Sequence, residues 1–370
     1  MKLSPDLKSY QLESALQHSS IESPFHVSFV KTVILEVQVQ VAPSAPCKKA
    51  YFNNMGSSIV PFKAAVAVTQ LTDDSWSGNL VQGYCVGAVP NGGYVASVMY
   101  QAVESHVRNL GLEQDIISAQ LQYVNRTQIG QAKIAIETIK SGRATSTFHA
   151  VLLHGTRKCV LGYFVCLAPT TDGLTLATGW QLLPPTPPID FERAVKGLDS
   201  NWSSEAGRIQ IDHLASLGFV RAVEGVFESY YRRQPGRKGL EDAWIRLSSG
   251  ERLTNATLPL VADAKPYVVE SWRPLPGEGS ESIPFSRNDP FWYPTLVMNL
   301  DIKKLLPKEG VEWLFIRTEA RKIDQGRLDL QVSILDQEGD LVAVASHVNL
   351  VLSASRNLGN KKARKPEGKL

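Results

Sequence analysis

Hydrophobic and polar positions alternate in two widely separated parts of the chain, and each time the alternation follows a Gly-Arg pair. After Gly142-Arg143, the segment FHAVLL (148–153) leads to a turn glycine, Gly155, and then to the apolar run CVLGYFVCLA (159–168). After Gly326-Arg327, the segment LQVSIL (330–335) leads to Gly339 and a second apolar run. In both copies the turn glycine falls thirteen residues after the glycine of the pair. Alternation, a turn glycine and another apolar run predict an antiparallel hairpin. Upstream, AQLQYV (119–124) and AKIAIETI (132–139) predict a strand pair, as do LVMNLDI (296–302) and WLFIRTEARKI (313–323).

A helix should precede the strands of each copy. Between Pro90 and Gly111, natural helix boundaries, residues Val95, Val98, Met99 and Val103 share one face by three-and-four spacing. Small Ala96 and Ala102 allow close approach. In the second copy, 255–272 offers Leu258, Val261, Ala262 and Val268, with Pro266 ending or kinking the helix. Without gaps, YVAS (94–97) aligns with LVAD (260–263). The repeat predicts an α+β chain of the double-hotdog type, in which each curved antiparallel sheet wraps a central helix. The first hotdog is expected at 61–183 and the second at 241–355. A connector at 184–240 opens with four prolines in five residues, Pro184 to Pro188. The segment 274–290 reads as a polar loop, 1–60 as an extension without a counterpart, and 356–370 as a basic tail.

Composition narrows the functional classes. At 370 residues, 43% hydrophobic and 20% charged, the chain is globular. Its net charge of +3 lies in the last ten residues, which hold five basic side chains and one acid. The rest holds 34 basic against 35 acidic, so no basic domain face argues for nucleic acid. Cys47, Cys85, Cys159 and Cys166 include no CxxC pair, and the seven histidines form no HxxxH group, so neither a disulfide framework nor a local metal motif is indicated. The most apolar long stretch, from Val27, contains Lys31 and Glu36 and is too polar to span a bilayer. The start lacks the order of a signal peptide, and the expectation is a cytoplasmic protein. The terminal Gly368-Lys369-Leu370 matches an SKL-type peroxisomal address in two positions, which is the alternative. No GxSxG elbow is present, which argues against an α/β serine hydrolase.

The segments PNGGYVASVMYQA (90–102), the Gly142 strand, FWYPTLVMNLDI (291–302), EWL (312–314) and GRLDLQVSILDQEGDLVAVASH (326–347) carry a family resemblance in their order and spacing. Over 62–353 the chain resembles the double-hotdog acyl-CoA thioesterases, in particular the thioesterase-like proteins of fungi and actinobacteria. The resemblance implies hydrolysis of an acyl-CoA, or a related acyl or polyketide carrier thioester, without a covalent intermediate and without a cofactor. It places lipid or secondary metabolism in view and leaves a homo-oligomer open. In that family an Asp, a Thr and a Gln hold and activate one water. The carboxylate accepts its proton, and the neutral groups fix it near attack distance.

Carried over by position, the Asp is Asp263, the Thr is Thr295, and the Gln position holds His347, a departure from the pattern. Each also has a structural reading. Asp263 could face solvent from its helix, Thr295 suits a strand by propensity, and a strand histidine is often a core residue. Asn91, Gly92 and Gly93 open the first helix. Their glycines allow tight packing, and their N–H groups could polarise an acyl carbonyl or bind the pantetheine arm. Ser97, the counterpart of Asp263, cannot serve as a base, so one active site is expected, in the second half. Phe291, Trp292 and Tyr293 could line an acyl tunnel or simply pack. Two other readings stand beside the thioesterase. One is a catalytically weak acyl-binding accessory protein, suggested by His347. The other is a hotdog dehydratase or hydratase, which needs a histidine near a helix start that neither helix has.

Overall fold

The alternating segments pair along their whole lengths. In chain order the strands of the main sheet are β1 (Val68–Thr72), β2 (Ser75–Leu80), β3 (Asp115–Tyr123), β4 (Gly130–Lys140), β5 (Thr145–His154), β6 (Arg157–Leu167), β7 (Trp202–Ser203), β8 (Phe227–Arg232), β9 (Leu240–Leu247), β10 (Thr295–Ile302), β11 (Leu314–Asp324), β12 (Arg327–Leu335) and β13 (Leu341–Leu350). The structure, a computed structural model, describes residues 60–169, 173–204, 222–273, 285–286 and 289–353. Expectations for 1–59, for most of the 274–290 loop and for 354–370, including Gly368-Lys369-Leu370, lie outside the described residues.

These thirteen strands form one sheet in the order β1-β2-β4-β5-β6-β3-β10-β13-β12-β11-β9-β8-β7, and four further two-residue strands pair in two small ribbons, Cys85–Val86 with Val89–Pro90 and Phe291–Trp292 with Leu352–Ser353. Outward from the central β3–β10 pair, the sides match strand for strand, with β7 the one addition. This is the double hotdog that the repeat predicts. The hairpin turns need backbone that most side chains avoid, and the two turn glycines supply it at φ +63° (Gly155) and +87° (Gly339). Part of the segment read as a connector joins the sheet, because 227–232 forms β8 against β9 and 202–203 forms β7 against β8. The connector also crosses the second half's outer face. There Trp202 joins Trp244, Trp313 and Phe315 in a buried cluster, and Arg317 donates to the Pro184 carbonyl at 2.6 Å.

The helix of the first copy, α1, spans Gly92–Asn109 and is capped by Asn91, whose side chain accepts from the Tyr94 N–H at 2.9 Å. Every residue from Gly93 to Tyr100 is buried, rather than one stripe as the spacing predicts. The reason is tertiary: sheet strands contact α1 on some sides and a second helix contacts it on another. That second helix, α2, spans only Leu258–Ala262. The sequence predicts one helix over 255–272 kinked at Pro266, but α2 ends four residues before the proline, and a 3-10 turn, Val268–Trp272, follows. A proline ring clashes with the carbonyl four residues back, here Ala262, so the helix stops there. At the helix crossing a Cβ on Gly93 would lie 2.4 Å from the Pro259 carbonyl oxygen and 2.7 Å from Asp263 Cβ. Only glycine fits. Among the described residues no helix is long and apolar enough to cross a membrane.

Candidate active site

The early end of α2 sets the direction of Asp263. As the residue that closes the helix, it points across the crossing toward the N-terminus of α1, and it is 4% exposed. Its Oδ2 accepts from Asn91 Nδ2 at 3.0 Å and from the Gly93 N–H at 2.9 Å. Its Oδ1 accepts from Thr295 Oγ1 at 3.1 Å. The carboxylate therefore joins the two halves of the chain, and it is buried rather than facing solvent.

Thr295 reaches it because β10 is irregular at its start. Met298, Leu300 and Ile302 point inward, so strict alternation would send Leu296 in and Thr295 out. The register against β13 shifts between Thr295 and Val297, and this bulge exposes Leu296 while turning Thr295 toward Asp263. From β13, His347 and Asn349 share the inward face. Asn349 Nδ2 donates to Thr295 Oγ1 at 3.3 Å. His347 Nδ1 lies 3.7 Å from Asp263 Oδ1, too far for a hydrogen bond, and neither ring nitrogen has a partner among the described residues.

Burial dominates the electrostatics. It pushes the Asp263 carboxyl up to about 6, against the pull of the Gly93, Thr295, Asn91 and Gly92 donors. The positive end of α1 favours the ionised form in the same way. Burial drives His347 the other way, down to about 4, so the imidazole beside Asp263 is neutral at pH 7. Tyr123 is raised by burial and by the Asp263 charge; its hydroxyl donates to the Gly92 carbonyl at 2.9 Å.

A cavity of about 210 Å³ opens onto this cluster. Asn91, Gly92, Asp263 and Thr295 line it, with Tyr267 and Trp292 among its apolar walls. Tyr293 also lines it, with its hydroxyl bound to Glu270 at 2.5 Å. Phe291 packs instead against Phe285 and Tyr293. His347 and Asn349 do not line the cavity and sit behind Asp263 and Thr295. Asn91, Gly92, Gly93, Asp263, Thr295 and His347 thus lie in one cluster, with Trp292 and Tyr293 beside them on the cavity wall. The donors at Asn91 and Gly93 are directed at the Asp263 carboxylate, where the sequence reading has them facing an acyl carbonyl. Asn349, Tyr123 and Tyr267 were not singled out. For Asn349 a signal existed: it lies two residues beyond His347, hence on the same strand face.

Comparison with known proteins matches residues 80–167 to the acyl-CoA thioesterase N-terminal domain and residues 198–351 to the acyl-CoA thioesterase C-terminal domain. A thioesterase-like protein of Talaromyces wortmannii, TwmA, is 33% identical over 343 residues, covering 83% of this chain and 96% of that one. Among solved structures, a hot dog fold protein of unknown function from Alicyclobacillus acidocaldarius superposes with a TM-score of 0.58 at 15% identity, over 79% of this chain and 98% of that one. The acyl-CoA thioesterase II TesB2 of Mycobacterium marinum superposes with a TM-score of 0.53 at 14% identity, over 80% and 100%. At those identities the structural likeness speaks to the fold alone.

Proposed function

The chain belongs to the acyl-CoA thioesterase family and is a thioester hydrolase, and on that premise we propose that Asp263 is the general base that activates water against an acyl-CoA or related carrier-bound thioester. One observation carries this reading. Asp263 is the only carboxylate among the described residues lining the cavity, it is held by donors from both halves of the chain, and its pKa of about 6 leaves it ionised yet basic at neutral pH.

The donors leave acceptor capacity where a nucleophile needs it. A carboxylate offers about four lone-pair sites; Asn91 and Gly93 take those of Oδ2, beside the Gly92 N–H that also favours the charge, and Thr295 takes one on Oδ1, so it is Oδ1 that can receive a water. Thr295 spends its single hydrogen on Asp263 and accepts from Asn349, which leaves one lone pair on its oxygen. A water giving one hydrogen to Asp263 and the other to Thr295 has its own lone pair free for the acyl carbon. Asn91 Nδ2 carries a second N–H beyond the one on Asp263 and lines the cavity, which suits the acyl oxygen. Attack forms the new C–O bond as Asp263 takes the proton. Collapse breaks the C–S bond, and the thiolate takes that proton from Asp263, so one acid and one thiol leave per water consumed. His347, neutral and outside the cavity, handles no proton in this scheme.

Thiol release from an acyl-CoA panel, followed with a thiol reagent, tests the reading. Wild type should release thiol, with kcat/KM rising through a group near pH 6 because the base acts only when ionised. Asp263→Asn should lose roughly 10²–10⁴-fold. An Asp263→Asn enzyme as fast as wild type would overturn the assignment.

A further inference from the structure

Asn349 is fully buried on the inner face of β13, and its carboxamide makes one polar contact among the described residues, through Nδ2 to Thr295 Oγ1. Its Oδ1 has no partner there. Which end of the amide faces Thr295 follows from counting hydrogens. A threonine hydroxyl has one hydrogen, and Thr295 places it on Asp263 Oδ1. The third group around that oxygen must then donate, so the NH₂ of Asn349 faces Thr295 and the carbonyl faces away. With this donor removed, the hydroxyl loses one of its two restraints and is held by the Asp263 carboxylate alone.

We propose that Asn349 is a positioning residue of this active site, holding the Thr295 hydroxyl so that its hydrogen stays on Asp263 and its free lone pair stays toward the attacking water. The proposal rests on Asp263 as the base. It gives the carboxamide a role two residues along the strand from His347, which occupies a neighbouring inward position yet contacts Asp263 at no hydrogen-bonding distance. An amide with one 3.3 Å bond and a buried, unpartnered oxygen contributes little to stability, because an unmade hydrogen bond costs about what a made one contributes. A structural role and a positioning role therefore predict opposite results.

Asn349→Leu preserves volume and removes the donor. It should keep or raise the thermal midpoint, hold KM within about twofold and lower kcat about tenfold. The acid limb of its rate profile should move to higher pH, since Asp263 loses a hydrogen bond that favours its ionised form. Asn349 acts only through Thr295, so Asn349→Leu added to Thr295→Val should cost no more than Thr295→Val alone. Asn349→Ala, run in the same cycle, gives a second fold-compatible removal of the donor. Full additivity, or single variants with the wild-type kcat and acid limb, would overturn the proposal while leaving the base in place. An undiminished Asp263→Asn enzyme would instead remove the base and this role together.

Discussion

The two halves share strands, register and even irregularities, but only the second carries the residues proposed for catalysis, Asp263 and Thr295. The bulge that turns Thr295 inward between β10 and β13 recurs between β3 and β6, where the register shifts between Ile116 and Ser118. Thr295 pairs with Asn349, and at the matching place Ile116 pairs with Cys166. Met298 pairs with His347, and Ala119 pairs with Phe164. Ser97 stands where Asp263 stands in the ungapped helix alignment. Ile116, Phe164 and Cys166 are buried, so the first-half positions serve as core. The difference extends to the backbone. Gly93 donates its N–H to Asp263, whereas its counterpart Pro259 has no N–H to donate toward Ser97. The proposed site therefore joins the helix start of one half to the acid of the other.

The strongest way to break this comparison is to move the acid. Asp263→Ser should cost the roughly 10²–10⁴-fold expected for a general base, and adding Ser97→Asp should recover none of it, because no Pro259 amide receives the carboxylate. Thiol release from the doubly substituted enzyme checks this; recovered activity would mean that the halves are chemically interchangeable. A smaller effect is expected from copying the first half at the bulge. Thr295→Ile should lower kcat about tenfold with the fold intact, read from initial rates and near-UV circular dichroism.

A stability measurement sharpens the comparison from the other side. The Asp263 carboxyl is raised from 3.8 to about 6, so between those values the folded state holds a proton that the unfolded state has released. Stability associated with the protonated form is complete below about pH 4 and is lost as pH rises through 6, by at most about 3 kcal/mol. Asp263→Asn does not titrate, so its thermal midpoint relative to wild type should climb from pH 4 to pH 8; a flat difference would contradict the burial argument. Ser97→Ala, a substitution at the silent position, should show no such slope. The smallest effect is predicted for His347→Phe, again the first-half residue. A neutral imidazole with no hydrogen-bond partner among the described residues should be replaceable with kcat changed by less than about threefold, and a large loss would show that His347 takes part in the proton transfer.

Much of this architecture is legible along the chain because its causes are local. Period-two alternation, the glycines at 155 and 339, and the boundaries at Pro90 and Gly111 each act over a few residues, and together they specify hairpins, a long helix and their repetition. The repeat also makes Ser97 against Asp263 visible, and so the expectation of one site. Other features arise from contacts between distant segments. The all-round burial of α1 depends on its neighbours. The direction of the Gly93 N–H is decided 170 residues away by a carboxylate, and the inward turn of Thr295 by a bulge against β13. The role of Asn349 appears only when the hydrogens around Thr295 are counted in space. Periodicity reports which face of a strand or helix is apolar. The partner of a buried donor is set by a few ångströms of three-dimensional approach, and that approach is made when the two halves close on each other.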